Sequence, residues 1–450
     1  MEKGNKIELH IEDMSSDGNG IGRSEGQVVF VEGCVKGDKV RAGITKAKKN
    51  YALAECLEIM EPSPLRDDGF CRYAKDCGGC PLGDLEYDAQ LRIKEDWVSD
   101  KLTRLGGIDD PVVRPIIGMD EPVRYRNKAE FKVGPGGEVG FFARKSHRVI
   151  DCLDCLIQRE EVMGAARGLR EYLADFGNPC GIRGMTVKMS FGTGEMMAII
   201  EAKNVDVPHL EELCAYMDEG SGYNLESIFI NEELVAGKSI IRDEAEGLKF
   251  EISRDSFYQV NPSQTVKLYE KAVEYAAVEE GQTVLDLYCG VGTIGLFAAK
   301  TIGNDGLVLG IETVKQAVLD ANRNSVINGI VCTRYIQGKA EEELPPVLGL
   351  RPKMGYDGEN RLVEKEPVVR IDHADVVFLD PPRAGCDEKL LDAVVEAAPD
   401  RIVYVSCDPA TLARDVKYLG ERGYRFIEAQ PVDMFCHTAH VECVTLMTRC

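Results

Sequence analysis

Apolar and polar residues alternate through residues 5–60 with the period of two expected of half-buried strands. Ile7, Leu9 and Ile11 are separated by single polar residues, SSDGNGIG has turn chemistry, QVVFVEG reads as a further strand, and residues 39–60 have room for two more. Short strands at this density predict a small barrel of the oligonucleotide-binding kind. The pattern then changes. A proline-containing linker, EPSPLR at 61–66, leads into a cysteine-rich loop. Leu85, Ala89, Ile93 and Trp97 then recur at i, i+4, which predicts a helix over 85–105. Residues 112–250 read as mixed strands and helices. From about residue 254 strands and helices alternate, which predicts a parallel, doubly wound sheet. The stretch 351–372 is polar and turn-rich and reads as a surface excursion, and no internal repeat is present.

Composition narrows the picture. A chain of 450 residues is too long for one core, and 44% apolar residues are ample for burial. No run of about 18 apolar residues could span a bilayer, and MEKGNKIELH has no apolar signal core, so a cytoplasmic monomer is expected. Sixteen cysteines in such a protein argue against a disulfide framework, because the cytosol keeps thiols reduced. Core residues, metal ligands and nucleophiles are then the roles left for them. The net charge of −22 is awkward for a polyanion partner. Residues 112–150 are locally positive, with Arg114, Arg124, Arg126, Lys128, Lys132, Arg144, Lys145 and Arg148 against four acids. That segment is either an RNA-facing surface or an ordinary solvated sheet face.

Cys71, Cys77 and Cys80 stand at C-x5-C-x2-C, with Gly78-Gly79 inside the loop and Pro81 after it. Small residues let the backbone fold tightly enough for thiolates to converge, and the trailing proline is shared with ferredoxin-type iron–sulfur runs. A fourth ligand would come from Cys152 or Cys155 in DCLDCLIQ. A four-thiolate zinc site is the chemical rival.

The last 200 residues hold the remaining chemistry. Val284–Gly292 is an apolar strand ending in a glycine turn, where a cofactor can approach the backbone at the carboxyl end of strand one. The next strand ends in Glu312, suited to ribose hydroxyls; a nicotinamide or an S-adenosylmethionine site would look alike so far. The order D-x-Y-C-G-x-G favours S-adenosylmethionine. A later strand ends in Asp380-Pro381-Pro382-Arg383, and RIVYV runs into Ser406-Cys407-Asp408-Pro409. His440-Val441-Glu442 follows near the end. An activated cysteine, a base and a methyl donor are the parts needed to methylate carbon 5 of a pyrimidine.

These elements together (FYQVN, DLYCG, DPPR, SCDP and HVE) resemble the RNA uracil-5-methyltransferases. GNGIGR, VFVEG and GDKV in the first barrel resemble a TRAM domain. The resemblance implies a TRAM-like barrel over 1–62, a central RNA-binding α+β domain over 63–253 with a cysteine loop, and a Rossmann-like class I methyltransferase domain over 254–450. It implies Cys407 as nucleophile and Glu442 as general base. Gln259, Tyr288, Glu312 and Asp380 would contact S-adenosyl-L-methionine, with Asp286 supporting the turn and Cys289 packing beneath it. A 4Fe–4S cluster would be held by Cys71, Cys77, Cys80 and, from its C-x-I context, Cys155, leaving Cys152 spare. His437 and His440 would orient the final loop. A barrel plus a cysteine cluster resembles the enzymes that modify 23S ribosomal RNA. Transfer-RNA T-loop methylation and a non-catalytic RNA-binding protein are the alternatives. One departure is Cys436, where the family usually has proline.

Overall fold

A computed structural model describes all residues except 68, 224 and 357–360. The early alternation forms five strands, Lys6–Met14, Gly20–Ser24, Gln27–Glu32, Lys39–Ala47 and Tyr51–Glu61. They close into a barrel in which the fifth strand lies between the third and the fourth. Leu9, Ile11, Val29, Val31, Val40, Ala42, Ile44, Ala52 and Ala54 fill it, which is why alternate residues had to be apolar.

The predicted helix spans Tyr87–Arg104. It begins two residues later than predicted, after a turn closed by the Leu85 N–H on Leu82 O. Ala89, Ile93 and Trp97 form its buried face and, with Leu85 just ahead of it, pack against Met14 and Val35 of the barrel region. Trp97 Nε1 donates to Met14 O at 2.9 Å, so barrel and helix are joined by one buried indole.

The middle of the chain forms a seven-stranded sheet. Its order is Glu233–Gly237, Leu225–Ile230, Met196–Ala202, Ile182–Met189, Lys128–Val133, Val139–Phe142, Val149–Asp151. Helices Glu160–Phe176 and Leu210–Ser221 pack on each other closely enough that a Cβ on Gly164 would lie 2.1 Å from Gly220 O. The positive segment is less free than its sequence implied. Arg114 pairs with Glu428, Arg124 with Asp154, Lys128 with Glu130 and Lys132 with Glu201. Arg144 and Lys145 both pair with Glu32, and Arg148 with Asp76. Among the described residues Arg126 alone of the eight has no carboxylate partner.

The C-terminal sheet runs Thr333–Gln337, Leu307–Glu312, Thr283–Leu287, Val376–Leu379, Arg401–Ser406, Glu442–Arg449, Tyr424–Val432. The first five strands are parallel, as predicted. The last two are not. Tyr424–Val432 and Glu442–Arg449 pair antiparallel with each other, and Glu442–Arg449 pairs antiparallel with Arg401–Ser406. The connection from Val432 to Glu442 is too short for a parallel crossover, so the chain must double back. Two apolar clusters cover the faces of this sheet. A hairpin of Ile240–Ala245 and Leu248–Ser253 contributes Ile241, Leu248, Phe250 and Ile252 to one of them. Within 351–372, strands Lys353–Tyr356 and Leu362–Lys365 form a hairpin, and residues 357–360 lie outside the described residues. No helix among the described residues is long and apolar enough to cross a membrane.

Candidate active site

Parallel strands leave their carboxyl ends in a row, and four of the predicted residues lie along that edge. Asp380 follows Val376–Leu379 and Cys407 follows the neighbouring Arg401–Ser406. Asp408 turns the chain sharply after Cys407: its carboxylate accepts from Ala410 N at 2.8 Å and Thr411 N at 3.1 Å, capping helix Pro409–Gly420. The antiparallel register sets Ser406 opposite Cys443, and continuing it one step brings Cys407 opposite Glu442.

The electrostatics of the edge are unusual. Burial pushes the Glu442 carboxyl up to about 8, the nearby Asp380 charge adds to this, and Arg383 opposes it. Burial and the Glu442 charge raise the Cys407 thiol to about 12, again against Arg383. Asp380 rises to about 7 through burial and the charge of Asp286. Asp286 also rises to about 7, through burial and Glu312, against the stabilising Gly295 N–H. Glu312, Asp286, Asp380 and Glu442 therefore form a line of carboxyls in which each feels the next. Asp286 Oδ2 accepts from Gly295 N at 2.9 Å, and its buried Oδ1 has no partner among the described residues. Such a line wants a cation.

The glycine turn is built to admit a ligand. Gly290 has φ +56 and nothing within 4 Å of a Cβ placed on it, so its backbone faces open space. Tyr288 is held at φ +66, uncommon for a residue with a side chain. Glu312 ties this turn to the next strand, accepting from Gly290 N at 3.1 Å and Val314 N at 2.8 Å. The Tyr288 ring packs against the apolar cluster that includes Leu287, Ile311 and Leu379. Cys289 is buried beneath the turn. Gln259 is buried, with its side chain beside the Tyr269 hydroxyl, which in turn lies 3.2 Å from Thr293 Oγ1. Tyr269 and Thr293 were not singled out from the sequence. Tyr269 lies on helix Pro262–Ala276, which carries no motif of its own.

The loop leading to Glu442 is clamped from several sides. Asn261 Nδ2 donates to Met434 O at 3.0 Å, and Tyr125 OH donates to Cys436 O at 2.9 Å. Cys436, in the place of the family's proline, is buried with Sγ 3.4 Å from Tyr87 OH. His437 is buried and held on both ring nitrogens, by Gln90 at 3.1 Å and Pro122 O at 2.9 Å. Burial lowers it to about 4, so it is neutral. His440 Nε2 lies 3.3 Å from Arg383 Nη2.

Cys71, Cys77, Cys80, Cys152 and Cys155 all line one cavity of about 650 Å³, together with Arg126, Gly78, Gly79 and Gln158. Cys155 is electrostatically close to each of the three loop cysteines. Cys152 is buried and lies within hydrogen-bonding reach of Cys155, holding the Cys155 thiol below its usual value. This cavity backs directly onto the loop leading to Glu442: Cys80, Cys155, Phe70 and Tyr125 share an apolar cluster with Cys436.

Two family models match the chain. One, described as tRNA (uracil-5-)-methyltransferase, covers residues 223–450. The chain belongs to the RNA uracil-5-methyltransferase family. A TRAM domain model covers residues 1–57 of the enzyme. An uncharacterized RNA methyltransferase of Caldanaerobacter subterraneus is 40% identical over 474 residues, 99% of this chain and 98% of that protein. One of Halalkalibacterium halodurans is 37% identical over 473 residues, 99% and 98% of the two chains. The crystal structure of Pyrococcus abyssi tRNA (uracil-54, C5)-methyltransferase with S-adenosyl-L-homocysteine is also similar, with a TM-score of 0.73 at 26% identity. The match covers 98% of the enzyme and 100% of that chain.

Proposed function

We propose that the enzyme methylates carbon 5 of a specific uridine in 23S ribosomal RNA, using S-adenosyl-L-methionine and a covalent adduct of Cys407 at carbon 6. The adjacency of Cys407 and buried Glu442 at the carboxyl edge of the sheet carries the chemistry of this reading, and the choice of ribosomal RNA rests on the resemblance of the barrel and cysteine loop. The bound donor would supply a methyl group as a cation equivalent, and its positive charge suits the line Glu312, Asp286, Asp380. Gln259, Tyr288, Glu312 and Asp380 would hold it, with the open backbone at Gly290 admitting it.

Carbon 5 of uracil gains nucleophilic character only after addition at carbon 6. The Cys407 thiol first loses its proton to solvent, with the Arg383 guanidinium favouring the thiolate. The sulfur then bonds to carbon 6, and the ring electrons pass to carbon 5 and oxygen 4. Carbon 5 takes the methyl group, and the neutral thioether of the spent donor departs. Glu442, ionised, removes the proton from carbon 5; the electron pair re-forms the ring double bond and expels the Cys407 thiolate. The target base must leave its stack to reach this edge.

The four thiols Cys71, Cys77, Cys80 and Cys155 fit a 4Fe–4S cluster better than zinc. Four sulfurs around one zinc lie only about 3.8 Å apart. Among the described residues the one group of three ligand atoms all within 4.8 Å of each other is His373, Asp375 and Asp400, with no cysteine. A cavity of about 650 Å³ has room for a cluster. Arg126 on its wall would balance the negative charge of four thiolates. When bound, the cluster would cross-link the loop.

A second reading, transfer-RNA methylation, is favoured by one observation. A transfer-RNA enzyme of Pyrococcus abyssi matches this chain end to end, so a barrel and a central domain do not by themselves select ribosomal RNA. The test is incubation with tritiated methyl donor and unmodified total RNA, then sizing and nucleoside analysis. Label as 5-methyluridine in large ribosomal RNA supports the first reading. Label confined to transfer RNA replaces the substrate and keeps the chemistry. Absence of label, with iron bound, would leave a non-catalytic RNA-binding protein.

A further inference from the structure

Helix Tyr87–Arg104 ends far ahead of Thr283–Leu287, the first strand of the C-terminal sheet, yet one of its faces grips the loop leading to Glu442. Tyr87, Gln90 and Lys94 stand three and four residues apart and so share a face. Lys94 and Asp433 are both fully buried, with Nζ and Oδ1 2.6 Å apart. Lys94 Nζ also donates to Phe435 O at 3.0 Å, and Tyr87 OH donates to Asp433 Oδ2 at 2.9 Å. Gln90 is fully buried, and its Oε1 accepts from His437 N at 3.0 Å.

The His437 ring completes the grip. Pro122 O can only accept, so Nε2 carries the ring proton and Nδ1 accepts from Gln90 Nε2. His437 is itself held at φ +67, in the left-handed region that a side chain disfavours. A conformation of that kind persists only where its surroundings over-determine it.

Stability is a poor explanation for this ridge. A buried ion pair is worth little against an apolar pair of the same size, because desolvation offsets the attraction. Geometry explains it better. Every one of these bonds ends on residues 433–437, immediately before His440 and Glu442. Among the described residues the Glu442 carboxyl has no hydrogen-bond partner, so the walls around it decide where it points. We propose that Tyr87, Gln90 and Lys94 are positioning residues for proton removal, fixing the path of residues 433–437 so that Glu442 meets carbon 5 of the substrate. This rests on Glu442 being the base.

The test uses the full-length, iron-loaded enzyme and an RNA transcript that it methylates, made with either uridine or 5-fluorouridine. Fluorine on carbon 5 leaves no proton to remove, so adduct formation on that RNA reads attack and methyl transfer alone. K94M/D433L removes both buried charges together and leaves no unpaired ion. Q90M releases His437 without touching the pair, and decides the matter alone if the double variant does not fold. The expected result is adduct formation on fluorinated RNA within about threefold of the parent. On uridine RNA, turnover should fall about tenfold or more, with methylated adduct accumulating on denaturing gels. Equal loss of both reactions would mean a merely structural ridge and overturns the proposal. So does turnover within about twofold of the parent. E442Q is run alongside. If it traps adduct on uridine RNA and the ridge variants do not, the inference fails while the base assignment stands. If E442Q traps nothing, premise and inference fall together.

Discussion

Phe70 stacks on His437, with ring centroids 3.8 Å apart and planes 23° from parallel. The loop bearing Cys71, Cys77 and Cys80 thus leans on the loop leading to Glu442. Leu82, just past that cysteine loop, donates its N–H to His437 O at 3.0 Å, a second tie between the two. If the proposed cluster is what holds that cysteine loop, stripping iron should loosen the loop leading to Glu442 as well as the cysteines. Amide exchange across residues 433–441 is expected to quicken about tenfold or more on chelation, with a parallel fall in methylation. Unchanged exchange after complete iron loss would show that the two loops are independent.

Cys152 and Cys155 lie in the same cavity but differ in their surroundings. Cys155 is the sulfur near all three loop cysteines, whereas Cys152 is buried beside Cys155. Cys155→Ser should lose most of the iron and the visible absorbance of the cluster, and Cys152→Ser should keep both. The opposite pattern in iron analysis would exchange their assignments.

In the proposed mechanism Cys407 and Glu442 act at different steps, so their variants should fail differently. Cys407→Ala should lower turnover by about a thousandfold or more, form no protein–RNA adduct and leave RNA affinity within about twofold. Glu442→Gln should still attack and methylate, then stall as a methylated adduct visible on a denaturing gel. Free release of product by Glu442→Gln would remove it as the base.

As the proposed base, Glu442 would take a proton only when ionised, and burial holds its carboxyl at about 8. Product release from preformed adduct should therefore rise about tenfold per pH unit below that point and level off above it. A profile that is flat from about pH 6 to 9 is incompatible with a carboxyl at that value.

The same group sets a pH dependence of stability. Its folded value of about 8 lies above the ordinary 4.5, so the folded state holds the proton more tightly. That contribution is complete below about 4.5 and is lost as pH rises through about 8. Glu442→Gln cannot ionise, so its Tm advantage over the parent should be larger by a few degrees at about pH 8.5 than at about pH 4.5. An advantage of equal size at both pH values would mean that Glu442 does not resist ionisation in the fold.

Much of this protein is legible in its sequence because the signals are local. Alternation around Leu9 and Val29 specifies strands whose alternate residues fill the barrel. Asp408-Pro409 after an apolar strand specifies a strand end, a cap and a helix start, which fixes Cys407 at the sheet edge. The glycines at 290 and 292 specify a backbone turn that bulkier residues would resist. The apolar stripe Leu85, Ala89, Ile93, Trp97 specifies one helix face.

Other features belong to the tertiary structure alone, because they depend on which distant segments pack together. Nothing near Glu442 says that its strand inserts antiparallel beside Arg401–Ser406, yet that register brings it to Cys407. The cations of residues 112–150 look available in sequence, but acids from the barrel, the cysteine loop, the central domain and the last strands meet all but Arg126. Tyr87, Gln90 and Lys94 look like the solvated side of an amphipathic helix, and they are buried because the loop 433–437 covers them. The physical reason is the same in each case. Turn chemistry and periodicity are set within a few residues, whereas burial of charge and strand partnership are settled only when segments hundreds of residues apart exclude water from between them.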